Sequence, residues 1–313
     1  MSTPTGTPHT TPDVARFGPR DLPDLSGKKV IVTGANSGIG FHAAKAFAAH
    51  GAHVTLACRN VDSAREAQGR LRGATEVAEL DLASLDSVAA FAETWTGPLD
   101  LLVGNAGVMT PPRYRETADG HELQLGTNHL GHVALAGRLL PHLLEAEAPR
   151  VVAVSSIAHH RGDASVLEGN PRATYSANKA YGNSKLANLL FAQELQRRAT
   201  AAGSHLTATA CHPGVSATGL VTSPDGLGSL PGVRQLAPVV MRLLVQSSAA
   251  GANPTLWAST YAAPGSYVGP RGLMESRGRL GEANRSRWAR DEALAAQLWT
   301  LSEEQTGVRF DLG

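Results

Sequence analysis

The chain has only two cysteines, Cys58 and Cys211, among 313 residues. Two thiols cannot supply a disulfide framework or a four-cysteine zinc site. Both sit in apolar, strand-like runs, as buried free thiols of a reducing compartment do. Charge of one sign is also lacking: 28 basic against 27 acidic side chains leave a formal net charge of +1, without the basic stripe of a nucleic-acid-binding protein. Lysine is scarce, five against 23 arginines, and forms no cluster. Long apolar runs are missing as well. Arg242 interrupts even the 236–245 run, which falls short of the ~18 residues a membrane span needs, and the N-terminus has no apolar signal core. The expectation is a soluble, cytoplasmic protein with neither a nucleic-acid nor a membrane partner.

What is there begins with a change of texture. Residues 1–27 are rich in Pro and Thr and show no apolar period, so they read as a disordered tail unable to offset its ordering entropy. From Lys28 to Gly313 the composition is that of one globular domain, 42% of the whole chain being hydrophobic and 18% charged. Strands are predicted at 29–33, 52–58, 75–80, 99–104, 150–155, 206–211 and 266–269. Amphipathic helices are predicted at 39–50, 61–71, 84–95, 122–144, 179–202, 247–261 and 284–305. Runs such as Val30-Ile31-Val32 and Val151-Val152-Ala153-Val154 are apolar on both faces, as in a parallel sheet covered on both sides. The alternation implies an α/β, doubly wound (Rossmann-type) parallel sheet. Two polar or Pro/Gly-rich stretches break it, 157–174 and 213–245, and the second, about 215–245, reads as a lid.

The chemistry-bearing residues cluster where strands end. Thr33-Gly34-Ala35-Asn36-Ser37-Gly38-Ile39-Gly40 follows the first strand and runs into a helix. Such a turn brings backbone and a helix N-terminus to a pyrophosphate. The second strand ends Cys58-Arg59, where an acid would select a ribose 2′-hydroxyl and an arginine accommodates a 2′-phosphate; Arg59 therefore favours NADP(H), or is a solvated surface residue. Asp81-Leu82 and Gly104-Asn105-Ala106-Gly107 follow the third and fourth strands. Asp81 could accept from an adenine amino group or cap the next helix, a task better spaced for Ser84. Gly107 permits close approach of backbone.

Ser155-Ser156 closes the fifth strand, and Tyr181 and Lys185 lie four apart on one helix face. An ammonium beside a phenol favours phenolate, and a tyrosine so tuned can pass a proton to a carbonyl oxygen while a serine hydroxyl polarises it. A second pair, Tyr175 and Lys179, has the same spacing. It falls where the polar loop enters the helix, whereas Tyr181 continues into the apolar run from Leu186 to Phe191, so Tyr181 is preferred.

Taken together, these motifs resemble those of the short-chain dehydrogenase/reductase family over residues 28–313. Tyr181-Gly-Asn-Ser-Lys185-Leu-Ala-Asn188, Thr127-Asn128-His129-Leu130-Gly131-His132 and Ser155-Ser156-Ile-Ala158-His159 are similar to its retinol-dehydrogenase and protochlorophyllide-reductase-like branch, as are Tyr267-Val-Gly-Pro270, Ala289-Arg-Asp291 and Leu298-Trp299. The resemblance implies strand order 3-2-1-4-5-6-7 and a catalytic tetrad of Asn128, Ser156, Tyr181 and Lys185. In it Ser156 is the second serine of the family's pair, Lys185 also holds the nicotinamide ribose, and Asn128 positions a proton-relay water. Pro213, Gly214, Val215 and Thr218 match the segment that binds the nicotinamide carboxamide. The implied activity is NADP(H)-dependent interconversion of a ketone or aldehyde and an alcohol. The Leu-, Val- and Pro-rich lid suggests a bulky, apolar substrate. Relatives often pair through the helices around 122–144 and 179–202, which leaves a homodimer open, with 157–174 as an obstacle to that contact. Two departures stand out: Gly104 where the family usually has Asn, and no apolar anchor like that of several vertebrate retinol dehydrogenases.

Competing chemistries find less support. His129 with His132, and His159 with His160, lack a third spaced ligand, so no metal is expected. Gly214-Val-Ser216-Ala-Thr218 breaks the nucleophile-elbow pattern of a serine hydrolase at its last position. The alternative that remains is a non-catalytic NADP(H)-sensing protein on the same scaffold.

Overall fold

The structure, a computed structural model, describes residues 11–214, 246–272 and 274–313. One eight-stranded sheet runs in the order β3-β2-β1-β4-β5-β6-β7-β8. Its strands are β1 Lys29–Thr33, β2 His53–Cys58, β3 Thr75–Glu79, β4 Leu101–Gly104, β5 Arg150–Val154, β6 Thr207–Cys211, β7 Tyr267–Gly272 and β8 Arg277–Glu282. The pairings from β3 through β7 are parallel and β8 returns antiparallel on β7. The order of the first seven agrees with expectation; β8 is an addition. Its sequence, Arg-Gly-Arg-Leu-Gly-Glu, buries only Leu280, so it carries no apolar alternation to read.

The helices are α1 Gly38–Ala49, α2 Val61–Gln68, α3 Leu85–Glu93, α4 Leu123–Leu125, α5 Gly131–Arg138, α6 Leu140–Leu144, α7 Ala177–Ala201, α8 Ser248–Thr260 and α9 Glu292–Thr306. The single helix expected over 122–144 is interrupted twice. A π-helical turn, Gly126–Leu130, separates α4 from α5, and α6 opens with Pro141 in its first turn, where a missing N–H costs nothing. The three-residue alternation of β1 shows why the sheet is covered on both sides. Val30 and Val32 pack with Phe47, Leu56 and Trp257, while Ile31 packs with Leu102, Leu135 and Trp299. Each such side chain stabilises the fold by roughly 1.5–3 kcal/mol on burial.

One expectation is corrected. Within the segment read as a disordered tail, residues from Asp13 onward dock on the domain. Phe17 is 5% exposed and meets the rings of Trp257 and Tyr261 edge-on, at 5.2 and 5.9 Å. The Tyr261 hydroxyl donates to the Asp21 carbonyl at 2.8 Å, and Leu22 is also buried. Two isolated anchors have no period, so a periodicity argument misses them, and prolines beside them lower the entropy lost on docking. Residues 1–10, the expected lid at 215–245, and with it Val215 and Thr218, lie outside the described residues. Among the described residues no helix is long and apolar enough to cross a membrane.

Candidate active site

The parallel strands deliver their carboxyl ends to one edge, and the chain reverses direction across the sheet between β1 and β4, where open α/β sheets bind ligands. Thr33, fully buried at the end of β1, organises that point. Its hydroxyl accepts the N–H groups of Asn105 and Ala106, both at 2.9 Å, and pairs with His132 Nε2 at 2.9 Å. The Asn105 amide donates back to the Thr33 carbonyl at 2.8 Å. Gly34 has φ +65, and a Cβ on Gly40 would lie 2.4 Å from Asn105 Nδ2, so the turn closes only with glycine there. Ser37 caps α1 without a side-chain hydrogen bond. The first N–H groups of that helix, beginning at Gly38 and Ile39, are left for an anion.

The rest of the expected cofactor surface surrounds this turn. Asn36 donates to Ser63 at 3.1 Å, tying the turn to α2. Cys58 is buried with its thiol pushed up by desolvation, against the N–H groups of Asn36, Ala35 and Gly34. Arg59 beside it is exposed. Asp81 accepts the Ala83 N–H at 2.9 Å, while Ser84 caps α3, so the cap falls to Ser84. Leu82 is buried. Pro213 and Gly214 follow β6, the Pro213 carbonyl accepting from Gln246 and the Gly214 N–H donating to His212 Nδ1 at 3.2 Å. An extended dinucleotide fits this surface: a free helix N-terminus, a tight glycine turn and an exposed cation at the β2 end.

On the other side of the switch point lie the candidate catalytic groups. Tyr181 and Lys185 occupy successive turns of α7, with Lys185 Nζ 5.8 Å from the Tyr181 ring centre. Lys185 Nζ donates to the Val154 carbonyl at 3.1 Å, beside Asn188, which donates to the same oxygen at 3.2 Å. Burial lowers the Lys185 pKa to about 8. Burial raises that of Tyr181, hydrogen bonding from Ser156 working the other way. Here the sequence expectation is corrected: desolvation, not the neighbouring ammonium, dominates the phenol. The Ser156 hydroxyl accepts the Ala158 N–H at 3.1 Å and reaches Tyr181. Ser155 instead donates to the Lys185 carbonyl at 2.7 Å, a structural bond that leaves Ser156 as the serine facing the site.

Asn128 is fully buried in the π-helical turn. Its Oδ1 accepts the Val108 N–H at 2.7 Å, and its Nδ2 donates to the Val108 carbonyl and to Ser184, both at 2.9 Å. The carboxamide is thus spent on structure, and the Asn128 backbone carbonyl pairs with His132 Nδ1 at 2.9 Å. Gly107 is squeezed in the same place: a Cβ there would lie 3.0 Å from Asn128 Oδ1 and 3.5 Å from Lys185 Nζ.

The second Tyr–Lys pair is wired differently. Tyr175 donates to the Pro111 carbonyl at 3.3 Å and accepts from Gln124 at 3.2 Å. Lys179 turns away to the Arg161 carbonyl at 3.1 Å and to an ion pair with Asp163. Thr33, His132 and Gln124 are the participants that sequence reading missed. Thr33 opens the glycine motif, and His132, one turn after Asn128, closes the family-like Thr127–His132 run. Among the described residues no three His, Cys, Asp or Glu side chains gather as a metal-binding group.

A dinucleotide turn set beside a half-buried serine and tyrosine and a buried lysine is the layout of a Rossmann-type oxidoreductase. The model of the short chain dehydrogenase family matches residues 28–225, and the chain belongs to that family. Human retinol dehydrogenase 12 is 37% identical over 92% of this chain and 89% of its own length. Human retinol dehydrogenase 13 is 38% identical over 91% and 86%. A crystal structure of an uncharacterised protein from Mycobacterium Paratuberculosis, 43% identical, superposes with a TM-score of 0.80 over 94% of this chain and 99% of that one. The chain lies in the retinol-dehydrogenase-like branch, whose members carry out nicotinamide-dependent alcohol and carbonyl oxidoreduction.

Proposed function

We propose that this protein is an NADP(H)-dependent carbonyl reductase or alcohol dehydrogenase acting on a bulky, apolar ketone, aldehyde or alcohol. The observation that carries it is the convergence of Ser156, Tyr181 and Lys185 at the carboxyl end of β5. The Gly34–Gly40 turn and α1 N-terminus would hold the pyrophosphate, Arg59 a 2′-phosphate, Asn105–Gly107 and Pro213–Gly214 the nicotinamide half, and Lys185 its ribose. The cofactor, when bound, supplies or takes the hydride.

Tyr181 holds the proton. Burial raises its pKa and lowers that of Lys185, so the phenol is the acid that a developing alkoxide needs. Ser156 donates to the same oxygen and lowers the cost of charge there. Buried Cys58 stands where an acid would select NADH, and exposed Arg59 follows it, ready for a 2′-phosphate. The apolar character of the substrate is supported by the names of the retinol dehydrogenase relatives and by the Leu- and Val-rich composition of 215–245.

The test is NADPH consumption with aliphatic aldehydes, aryl ketones, a steroid ketone and retinal. Turnover of an apolar member, lost in Ser156→Ala, is expected. Tight NADPH binding with no turnover of any carbonyl would leave the sensing role instead.

A further inference from the structure

Ser156 presents its hydroxyl to the site, and its backbone carbonyl is held from behind by His159, with Tyr267 as a more distant partner. The Ser156 carbonyl accepts two hydrogen bonds from His159: from the backbone N–H at 3.0 Å and from ring Nδ1 at 2.8 Å. The other ring nitrogen, Nε2, accepts the backbone N–H of Ser286 at 3.2 Å. An amide N–H can only donate, so Nε2 is the bare nitrogen and Nδ1 carries the proton. Burial holds the imidazole neutral, with its pKa lowered to about 4, consistent with a single ring proton. The ring is fully buried. Tyr267 stands edge-on to it at 5.5 Å, its hydroxyl 3.5 Å from the Ser156 carbonyl and 3.4 Å from Nδ1, and His160 lies over it at 4.0 Å.

We propose that His159 is a positioning residue: its ring bridges Ser156 to the backbone at Ser286, after β8, and so fixes where the serine hydroxyl points. The role rests on Ser156 as the group that polarises the carbonyl. His159 itself lies on the far side of the serine backbone and touches no reacting atom. Because Nδ1 grips the carbonyl and Nε2 the C-terminal segment, loss of the ring leaves the Ser156 carbonyl with only the His159 N–H and the more distant Tyr267 hydroxyl, and its tie to Ser286 is gone. Small displacements of a polarising group are costly to turnover, while binding through other groups persists.

The test compares variants with the carbonyl of the panel above that wild type turns over fastest. His159→Leu should lower kcat by about ten- to a hundredfold, with KM and NADPH affinity near wild type. His159→Asn, whose amide nitrogen sits near the place of Nδ1, should restore most of the loss. Tyr267→Phe should change little, since its hydroxyl is the distant partner. If His159→Leu does not fold, His159→Gln replaces it; its amide reaches towards Ser286 rather than the Ser156 carbonyl, and the same loss is expected. Wild-type kcat in His159→Leu beside an inactive Ser156→Ala overturns the positioning role alone. A loss in His159→Leu that Asn does not rescue, or that tracks weakened NADPH binding, overturns it too. Full activity in Ser156→Ala overturns the assignment of the serine, and the role of His159 with it.

Discussion

Tyr175–Lys179 and Tyr181–Lys185 share a spacing and lie within one short stretch of chain, yet the structure gives them opposite surroundings. At the earlier pair the lysine finds a carboxylate, Asp163, and the tyrosine a carbonyl and an amide. At the later pair the lysine is buried with no acid beside it among the described residues, and the tyrosine keeps a serine hydroxyl as its partner. The difference teaches that a spacing places two groups on one face, whereas burial and competing partners decide whether they are free for chemistry. A lysine already neutralised by a carboxylate has little field left to lend.

The largest expected effect is on Tyr181. Tyr181→Phe keeps the ring and its packing but removes the proton, so turnover should fall by ~10²–10⁴-fold while NADPH still binds. Steady-state rates with binding followed by fluorescence check both halves; an active Tyr181→Phe with an inactive Tyr175→Phe would invert the comparison.

Next comes Lys185→Met, which should weaken both turnover and cofactor affinity without lowering the melting temperature at neutral pH. Burial brings the Lys185 pKa from an ordinary 10.5 to about 8. The unfolded chain therefore binds more protons between those values, so this group's contribution to stability rises with pH across that window and is a cost below it. At neutral pH that cost is about 3 kcal/mol, relieved in the variant and offsetting the lost bond to Val154. Thermal melts at pH 7 and 9.5 would show it as a smaller gain on raising pH in the variant than in wild type. An equal gain in both would mean that Lys185 is not the group responsible.

A smaller effect is expected at the β2 end. A guanidinium–phosphate contact in a partly exposed site contributes ~1.5–3 kcal/mol, so Arg59→Ala should cut the preference for NADPH over NADH by roughly ten- to a hundredfold. Equal kcat/KM ratios for the two cofactors in wild type and variant would remove Arg59 from cofactor choice. The smallest effect belongs to Tyr175→Phe. It forfeits the bonds to Gln124 and Pro111 for about 1 kcal/mol of stability and should leave turnover nearly unchanged.

Much of this layout was legible because several demands coincide on few residues. Gly34, Gly38 and Gly40 follow an apolar strand and open a helix, and only a tight turn satisfies all three. Tyr181 could be told from Tyr175 because the residues after it, Leu186 to Phe191, keep the helix buried. What stayed hidden depends on contacts distant in sequence. Nothing local tells Asn128 that its carboxamide will be taken by Val108 and Ser184, or Lys185 that it will face Val154. The π-helical turn at Gly126–Leu130 opens with weak helix formers, Gly126, Thr127 and Asn128, but its extra residue is visible only once the backbone is traced. The sign of the Tyr181 shift was missed for a related reason: the charge of a neighbour can be read from sequence, but the depth of burial cannot.

The docking of Phe17 bears on how the protein is handled. A shortened version beginning at Lys28, the boundary that composition suggests, would strip the cover from Trp257 on α8 and Tyr261 at its end and leave two aromatic edges in water. Exposed apolar patches of that kind drive self-association. Such a version should precipitate on concentration, and one beginning at Thr11 should stay monodisperse by light scattering. For crystallisation or tagging, the safe place to cut or extend the N-terminus is therefore ahead of Asp13.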